Sequence, residues 1–331
     1  MRRVEVGADQ AGQRLDKVLA QLLPAVPRSH LFRLIRRGEV RVNGHRARPE
    51  LRLTAGDRLR VPPVRSAAAL APGTSAGPAP GAALPSRAVP TGLIRVVEEA
   101  IIHSDERLLV LDKPAGLAVH GGSGVSFGLI EALRASRPRE TLELAHRLDR
   151  DTSGILLVAR RRSALRTVHA LLREGAVTKS YLALVAGRWQ LGHRRIDAPL
   201  RTDLRVGGER TVRVARGGAG GHGARAAKPA LTEFRLIQHY GSRASLIEAT
   251  LHTGRTHQIR VHAAHAGHPI AGDDKYGNPD VNAELHELGL SRMFLHAHSC
   301  SLVWPESGQE QSFSAPLPEE LKRLLDRLHS R

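Results

Sequence analysis

A segment of biased composition divides the chain into two unequal parts. Residues 64–92 consist mainly of Ala, Pro, Gly and Ser, and they show no periodic pattern of apolar residues. Such a composition favours a linker over a packed core. We therefore predict a small domain at residues 1–63, a linker at 64–92 and a large domain at 93–331. A chain of 331 residues is long enough for two domains.

Basic residues are concentrated in the small part. Residues 1–63 contain 14 Lys and Arg against 6 Asp and Glu, and the whole chain contains 50 against 32. This excess of positive charge favours polyanions such as nucleic acid as partners. The apolar runs are far shorter than the ~20 residues that a membrane span needs, so we expect no membrane protein. The single cysteine, Cys300, and the absence of an apolar stretch in the first residues lead us to expect a cytoplasmic protein.

Two amphipathic helices are predicted in residues 1–63. The first ends before Pro24 and has apolar residues at helical spacing, namely Leu15, Val18, Leu19 and Leu22. The second has Ser29 as its N-cap and ends at Gly38. Its apolar stripe is formed by Leu31, Leu34 and Ile35, and its other side carries Arg33, Arg36 and Arg37. The second helix therefore has one face that packs and one that is positively charged.

Short strands and turns follow the second helix. Alternating apolar residues predict strands at 40–42, 51–53 and 59–61, with a turn at Asn43-Gly44. For any single arginine here, a solvated position on a small α+β module is as good an interpretation as RNA contact. Together, the arginines of the second helix and those around the turn form a contiguous surface suited to phosphates. Those around the turn are Arg41, Arg46 and Arg48.

Strands outnumber helices in residues 93–331. Apolar alternation predicts strands at 108–111, 155–158, 181–185 and 245–250. Helical spacing is found at 127–133, 164–173 and 318–328. This mixture predicts a large α+β domain. The glycine-rich stretch at 216–226 is predicted to be a loop.

Three polar motifs in the large part could carry chemistry. The densest, His146–Gly154, lies between two apolar runs, which favours a cleft or a sheet edge, although an ordinary turn is an alternative. The second, Thr253–His262, contains Arg255 and His257 in positions that could grip RNA. The third, Lys179–Tyr181, opens a strand with one of only three tyrosines in the chain.

The residue patterns weigh against several reaction classes. The sequence has no P-loop, and no G-x-G-x-x-G fingerprint follows a predicted strand. Histidines crowd between His257 and His268, but no H-E-x-x-H or cysteine-containing ligand pattern accompanies them, so we expect no metal. What remains is a carboxylate among arginines, which can act as a nucleophile without a cofactor.

The small part resembles an S4 RNA-binding domain over nearly its whole length, from QRLDKVLAQL to DRLRVPP. In that family the second helix and the following hairpin carry the arginines that contact RNA. The resemblance therefore implies RNA contacts by Arg28, Arg33, Arg36, Arg37 and Arg41.

The large part closely resembles the RluA family of pseudouridine synthases. The resemblance rests on HRLDRDTSGILLVA together with LVLDKPAGLAVHGGSG, TKSYLALVAG, LHTGRTHQIRVHAAHAGHPIAGDDKYG and FLHAHSCSLVWP, in this order. The S4-like module and the DKPAGLAVHGGSGVSFGLIEALR stretch narrow the resemblance to one branch of this family, which modifies several uridines of 23S rRNA. The implied fold is α+β, with a large, mixed but mainly antiparallel sheet around a central catalytic cleft.

The resemblance also implies a role for each matching residue. Asp149, not Asp151, would be the nucleophile on a flipped-out uridine, at either the ribose anomeric carbon or ring C6. Arg260 would pair with Asp149, and Tyr181 would stack on the base and take part in proton transfer. The implied substrate-contacting residues of this domain are His146, Arg147, Arg255, His257 and Ile259, with Arg147 filling the place of the flipped base. No metal or redox cofactor is implied.

The expected function is thus the isomerisation of specific uridines to pseudouridine in 23S rRNA. One alternative is a related synthase that acts on tRNA or on other rRNA positions, since all branches share the catalytic residues. Another is a non-catalytic RNA-binding or ribosome-assembly protein, although Asp149, Tyr181 and Arg260 are all in place. We expect a monomer whose partner is ribosomal RNA, either naked or in a pre-ribosomal particle.

Overall fold

A computed structural model describes residues 2–7, 10–23, 26, 28–63, 88–121, 126–204, 210–215 and 226–330. Contacts within the chain divide it into two compact units, residues 1–84 and 85–331. Most of the predicted linker, residues 64–87, lies outside the described residues, as does most of the predicted glycine-rich loop, residues 216–225. Within the described ranges, no helix is both long and apolar enough to cross a membrane.

The first unit packs two helices on a small antiparallel sheet. Its elements are β1 (Arg2–Glu5), α1 (Leu15–Leu22), α2 (Arg28–Arg36), β2 (Arg41–Val42), β3 (His45–Arg46) and β4 (Arg58–Val61). The strand order is β1-β4-β2-β3. The apolar stripe of α1 and that of α2 are buried, as the helical spacing predicted. Burial of these stripes against the sheet provides the core of this unit.

Two predictions for the first unit are wrong in detail. The alternation at 51–53 does not form a strand, because Leu51 and Leu53 hydrogen-bond through their backbones to the start of α1 and only Arg52 bridges to Arg14. The second helix begins at Arg28, so Ser29 lies inside it and is not the N-cap. The strand β1 had no counterpart among the predicted elements.

The second unit is built around one large sheet. Its elements are α3 (Thr91–Glu99), β5 (Ile101–Ser104), β6 (Leu108–Lys113), α4 (Leu129–Ser136), β7 (Glu143–Leu144), β8 (Ser153–Ala159), α5 (Arg162–Glu174), β9 (Val177–Ala186), β10 (Arg194–Asp197), β11 (Leu200–Leu204), β12 (Arg210–Val214), β13 (Leu231–Tyr240), β14 (Ala244–Leu251), α6 (Gln258–His265), α7 (Pro279–Glu287), β15 (Leu295–Val303), β16 (Glu310–Ser314) and α8 (Glu319–His329). The helix α3 begins two residues before the end of the predicted linker.

The main sheet is mostly antiparallel, as expected. Among the described residues its strand order is β10-β13-β14-β9-β15-β8-β6-β5, with β16 beside β15 and β7 beside β8, while β11 and β12 form a separate hairpin. The pairing of β15 with β8 is parallel. Because β8 is buried on both faces, it is apolar at successive positions. Leu156 and Val158 pack on one side with α4, and Ile155 and Leu157 pack on the other with α5.

A glycine permits the close approach of β8 and β15 at the end nearest the first polar motif. Gly154 has φ +106°, and a Cβ at this position would lie 2.2 Å from the carbonyl oxygen of Ala297. No other residue fits there without displacing β15. The glycine that ends the HRLDRDTSG motif therefore has a structural role, and it places the loop that carries Asp149 at the start of β8.

Candidate active site

A cleft in the second unit brings the three polar motifs together. A cavity of about 500 Å³ is lined by residues of the loop before β8, by the start of β9, and by the segment that joins β14 to α6. Residues from all three motifs contribute to the wall, among them Asp149, Tyr181 and Arg260. The His146–Gly154 motif thus lines a cleft, and it contains a turn in which the backbone N–H of Thr152 donates to the Asp149 carbonyl at 3.3 Å.

Asp149 is held by a guanidinium that a second carboxylate also binds. Arg260 Nη1 donates to Asp149 Oδ2 at 3.2 Å, and the same guanidinium donates to both carboxylate oxygens of Asp273, at 2.7 and 2.8 Å. The Asp273 side chain is fully buried, whereas that of Asp149 is 20% exposed. Burial by itself would lower the pKa of Arg260, but Asp273 and then Asp149 outweigh it and raise that pKa. Arg260 is therefore always positively charged. Its guanidinium binds both the accessible carboxylate of Asp149 and the buried carboxylate of Asp273.

His257 lies on the other side of the Asp149 carboxylate. Its Nε2 is 3.8 Å from Asp149 Oδ2, and its Nδ1 is 2.9 Å from the hydroxyl of Tyr276. Burial lowers the pKa of His257, so the neutral imidazole is favoured at pH 7. His257 also has φ +53°, a left-handed conformation that is costly for a residue with a Cβ. Such strain is concentrated at functional sites.

Tyr181 and Ile259 form an apolar part of the cleft wall. Both side chains are buried, with 6% and 4% of their surface exposed. Burial raises the pKa of Tyr181, and Cys300 and Asp149 add to the effect. The Tyr181 hydroxyl is therefore protonated at neutral pH. This wall offers a planar surface and one hydrogen-bond donor to a bound base.

His146 and Arg147 are adjacent in the sequence but differ in their surroundings. The His146 Nε2 accepts the backbone N–H of Leu157 at 3.1 Å, and burial lowers the pKa of this imidazole to about 3. His146 therefore stays neutral and ties the loop to β8, while still lining the cleft. Arg147 is exposed at the cleft, and its side chain has no hydrogen bond or ion pair with any described residue.

The segment between β14 and α6 is shaped by one buried amide. Gln258 accepts hydrogen bonds from the Thr253 hydroxyl and the Arg255 backbone, and its amide donates to the Leu231 carbonyl and the Thr232 hydroxyl. All four polar positions of the amide are thereby used. The Arg255 side chain is exposed and donates to the carbonyl of Pro229 at 2.9 Å. Gln258 thus sets the shape of this segment, and Arg255 lies at its rim.

A buried lysine clamps the loop that carries Asp149. Lys113 is fully buried, and its Nζ donates to the carbonyls of Pro114, Leu117 and Arg150 at 2.8, 2.8 and 2.9 Å. Burial lowers the pKa of Lys113 to about 7. Only the ammonium form completes three hydrogen bonds, so this geometry favours the protonated lysine. The clamp fixes the residue next to Asp149.

The predicted RNA-contacting arginines of the first unit lie on α2, on β2 and, for Arg37, directly after α2. Arg33, Arg36 and Arg37 are exposed, and Arg41 is half-buried with a hydrogen bond to the Gly44 carbonyl. Arg28 begins α2, and its side chain is outside the described set. The side chains of Arg33 and Arg37 have no ion pair or hydrogen bond with a described residue, so their charge is available to a ligand.

Two of the four clustered histidines, His262 and His268, stabilise the fold. His262 is buried between the Thr232 hydroxyl and the Ala198 carbonyl, and His268 bonds to the Ala186 carbonyl. Across the part of the chain that the structure describes, no group of three or more His, Cys, Asp or Glu side chains could hold a metal ion.

The sequence motifs did not single out several residues that support the site. Asp273 and Tyr276 lie in the GDDKYG segment, which was included in the family resemblance but given no role, and the same holds for Lys113 in DKPAG. The available signal was that these polar residues lie within runs of sequence that carry the family resemblance. Their partners, which are distant in sequence, could not be derived from spacing.

Comparison with known proteins identifies the family. A family model described as RNA pseudouridylate synthase matches residues 107–265, and one described as S4 domain matches residues 13–59. The ribosomal large subunit pseudouridine synthase C of Escherichia coli (strain K12) is 46% identical over 99% of this chain and 96% of its own length. The protein of that name from Pasteurella multocida (strain Pm70) is 48% identical over 99% and 94%.

Solved structures agree with this. Human RNA Pseudouridylate Synthase Domain Containing 4 has a TM-score of 0.57 and 26% identity, over 72% of this chain and 95% of its own. Human RNA Pseudouridylate Synthase Domain Containing 1 has a TM-score of 0.53 and 27% identity, over 70% and 95%. The predicted resemblance and α+β fold class are confirmed, and the chain belongs to the RNA pseudouridylate synthase family, an isomerase family, with an S4 domain preceding the synthase domain.

Proposed function

We propose that this protein converts specific uridines of large-subunit (23S) ribosomal RNA to pseudouridine, with the Asp149 carboxylate as nucleophile. The observation that carries the proposal is that Asp149 is oriented by Arg260 at 3.2 Å and yet is 20% exposed to the cleft. A carboxylate that is both oriented and accessible is suited to nucleophilic catalysis. The relatives named for the large-subunit reaction are 46% and 48% identical to this chain over nearly its full length.

The reaction is an isomerisation in which every atom is kept. The bond between N1 of uracil and the ribose anomeric carbon breaks, the uracil turns in the cleft, and C5 bonds to the ribose instead. C5 loses one proton and N1 gains one. Asp149 bonds transiently to the anomeric carbon or to ring C6, and it leaves as the carboxylate when the reaction is complete. Since atoms and electrons balance within the nucleotide, the reaction needs no redox cofactor, and the sequence has no ligand pattern that would lead us to expect a metal.

The apolar wall of the cleft fits a pyrimidine ring. Tyr181 and Ile259 would pack against the uracil, and aromatic side chains stack on bases of any sequence. Because its pKa is raised, the Tyr181 hydroxyl would donate a hydrogen bond or relay a proton during the transfer from C5 to N1 rather than begin as a base.

Uncompensated cations around the cleft fit a polyanionic substrate. Arg147, Arg173 and Lys179 line it, and none of them has an ion pair with a described residue. Burial lowers the pKa of Lys179, because the positive charge of its ammonium group is only partly solvated. A phosphate beside this ammonium group would offset that cost. His146, Arg255 and His257 complete the proposed substrate-contacting set.

Arg147 would help to expose the target base. A base inside structured RNA must leave its stack, which costs a few kcal/mol. The exposed guanidinium of Arg147, two residues before Asp149, is planar and could take the place of the displaced base.

The S4 domain would supply a second RNA contact. We propose that the chain is organised as an S4-like domain at 1–63, a linker at 64–92 and a synthase domain at 93–331, with Arg28, Arg33, Arg36, Arg37 and Arg41 on RNA phosphates. Two weak sites joined by a linker bind more tightly than either alone, because the second contact becomes intramolecular. We expect a cytoplasmic monomer that acts on naked rRNA or on a pre-ribosomal particle.

The substrate can be identified by mapping pseudouridine at nucleotide resolution. Unmodified transcripts of 23S rRNA, partly assembled large-subunit particles and tRNA are each incubated with the wild-type protein. Pseudouridine at a few positions of 23S rRNA, in the transcript or in the particles, would support the proposal. Pseudouridine found only in tRNA would contradict the proposed rRNA substrate and identify tRNA as the target. Binding without any pseudouridine would favour a non-catalytic role.

A further inference from the structure

Tyr276 contacts both groups that flank the Asp149 carboxylate. The Arg260 Cζ lies 5.1 Å from the centroid of the Tyr276 ring, and the Tyr276 hydroxyl is 2.9 Å from Nδ1 of His257. The same hydroxyl accepts the backbone N–H of Val212, in the β11–β12 hairpin, at 3.0 Å. One side chain thus joins the two neighbours of Asp149 to a separate hairpin.

The hydrogen bonds of this hydroxyl determine which nitrogen of His257 carries the proton. Since the Tyr276 oxygen accepts from Val212, its own hydrogen is free to donate, and Nδ1 of His257 is its acceptor among the described residues. An Nδ1 that accepts is unprotonated, so in the neutral ring the proton lies on Nε2. That nitrogen faces Asp149 Oδ2 at 3.8 Å. The network therefore points an N–H at the carboxylate.

The position of Tyr276 is itself held by Asp273. Asp273 Oδ1 accepts the backbone N–H groups of Lys275 and Tyr276, at 2.9 and 3.1 Å, and its carboxylate binds Arg260. The turn that carries Tyr276 and the guanidinium that Tyr276 supports are thus fixed by one buried carboxylate. The ring adds a cation–π contact to Arg260.

We propose that Tyr276 is a positioning residue for the isomerisation. Its hydroxyl holds His257 in the tautomer that presents Nε2–H to Asp149, and its ring holds Arg260 in line with the same carboxylate. This inference rests on the proposed function, because it takes Asp149 as the nucleophile. Tyr276 acts only through His257 and Arg260, so its loss should affect the chemical step and leave RNA binding in place.

A double-mutant cycle with single-turnover kinetics tests the coupling. We expect Tyr276→Phe, which keeps the ring, to lower kcat about 10-fold with KM within about twofold, because it removes the hydrogen bond from the Tyr276 hydroxyl to the neutral His257 ring. His257→Ala should lower kcat by at least as much, and the double variant should lose no more than His257→Ala alone. Independent losses that multiply in the double variant would overturn the proposal, and so would unchanged kcat in Tyr276→Phe.

Two further measurements separate this proposal from the proposed function. Tyr240→Phe, in another part of the core, is the matched control and should keep wild-type kinetics. In ¹⁵N-histidine NMR, the His257 signals, assigned by their absence in His257→Ala, should show an unprotonated Nδ1 and a protonated Nε2, and Tyr276→Phe should shift the ring toward a mixture of tautomers. This readout needs no turnover, so it remains decisive even if no pseudouridine forms. A protonated Nδ1 in the wild-type protein would overturn the assignment.

Discussion

Asp149 and Asp273 share the guanidinium of Arg260 unequally. Asp273 receives two hydrogen bonds, at 2.7 and 2.8 Å, and Asp149 receives one, at 3.2 Å. The buried carboxylate therefore holds the cation, and the exposed carboxylate is oriented by it without being fully engaged. A nucleophile needs this arrangement, because a bidentate pair with Arg260 would occupy both oxygens of Asp149.

We predict that Asp273→Asn lowers activity and stability together. The variant leaves Arg260 without its bidentate partner, so the guanidinium should move toward Asp149, and a misplacement of about 1 Å can cost about 100-fold in rate. Breaking a buried ion pair should also lower the free energy of unfolding by about 3 kcal/mol. Single-turnover kinetics and urea unfolding measure both effects. Asp274→Asn, at the exposed neighbouring position, should change neither, and equal effects of the two variants would contradict the prediction.

Lys113→Met should destabilise the catalytic domain and slow the reaction. The change removes three hydrogen bonds from a buried ammonium to backbone carbonyls, one of them on Arg150 beside Asp149. We expect a loss of about 3 kcal/mol in the free energy of unfolding, measured by urea denaturation. Lys322→Met, which breaks only a surface pair with Glu319, should cost less than about 1 kcal/mol. Similar losses for both lysines would argue against the clamp.

Asp105 should make stability dependent on acid pH. Burial would raise its pKa, but hydrogen bonds from His103, the backbone of Leu108 and Gln311 lower it to about 2. A carboxyl whose pKa is depressed in the folded state contributes stability above its unfolded pKa, about 4, and loses it as pH falls through the folded value. The difference in unfolding free energy between wild type and Asp105→Asn should therefore be about 2 kcal/mol at pH 7 and shrink between pH ~4 and ~2. A difference that is constant with pH would contradict this.

Arg33 on α2 and Arg37 directly after it should control how RNA binding depends on salt. If Arg33 and Arg37 contact phosphates, replacing both with Gln should lower the slope of log Kd against log salt by about 0.7 for each contact. Arg14→Gln is the matched control, because Arg14 already pairs with Asp16 and Glu50. Binding titrations at several salt concentrations measure the slopes. Equal slopes for the double variant and wild type would remove these arginines from the RNA-binding surface.

Sequence periodicity predicted the helices and strands that bury one face and expose the other. The stripes of α1 and α5 recur at helical spacing, and both helices are observed close to the predicted bounds. The alternation at 51–53 was misleading, because that segment packs beside the start of α1 and lacks a strand partner. The hairpin β11–β12 was not predicted, although Val212 and Val214 alternate with the polar residues Thr211 and Arg213.

The site was predicted in part, for a physical reason. Asp149, Tyr181 and Arg260 each lie in a polar motif flanked by apolar runs, and the structure brings all three to one cleft. Asp273 and Tyr276 could not be derived in this way, because their roles follow from contacts across α6 and the hairpin. Such contacts depend on tertiary packing and leave no periodic trace in the sequence.

The central claim is tested most directly by release of tritium from RNA labelled at C5 of uridine, with Asp149→Asn compared with wild type and with Asp151→Asn. Asp151 is the matched control, since it is exposed, two residues away, and pairs with exposed Arg150 at 3.2 Å. Wild type and Asp151→Asn should release tritium in proportion to the uridines converted, and Asp149→Asn should release none while binding the RNA with an unchanged Kd. Tritium release by Asp149→Asn would contradict the account.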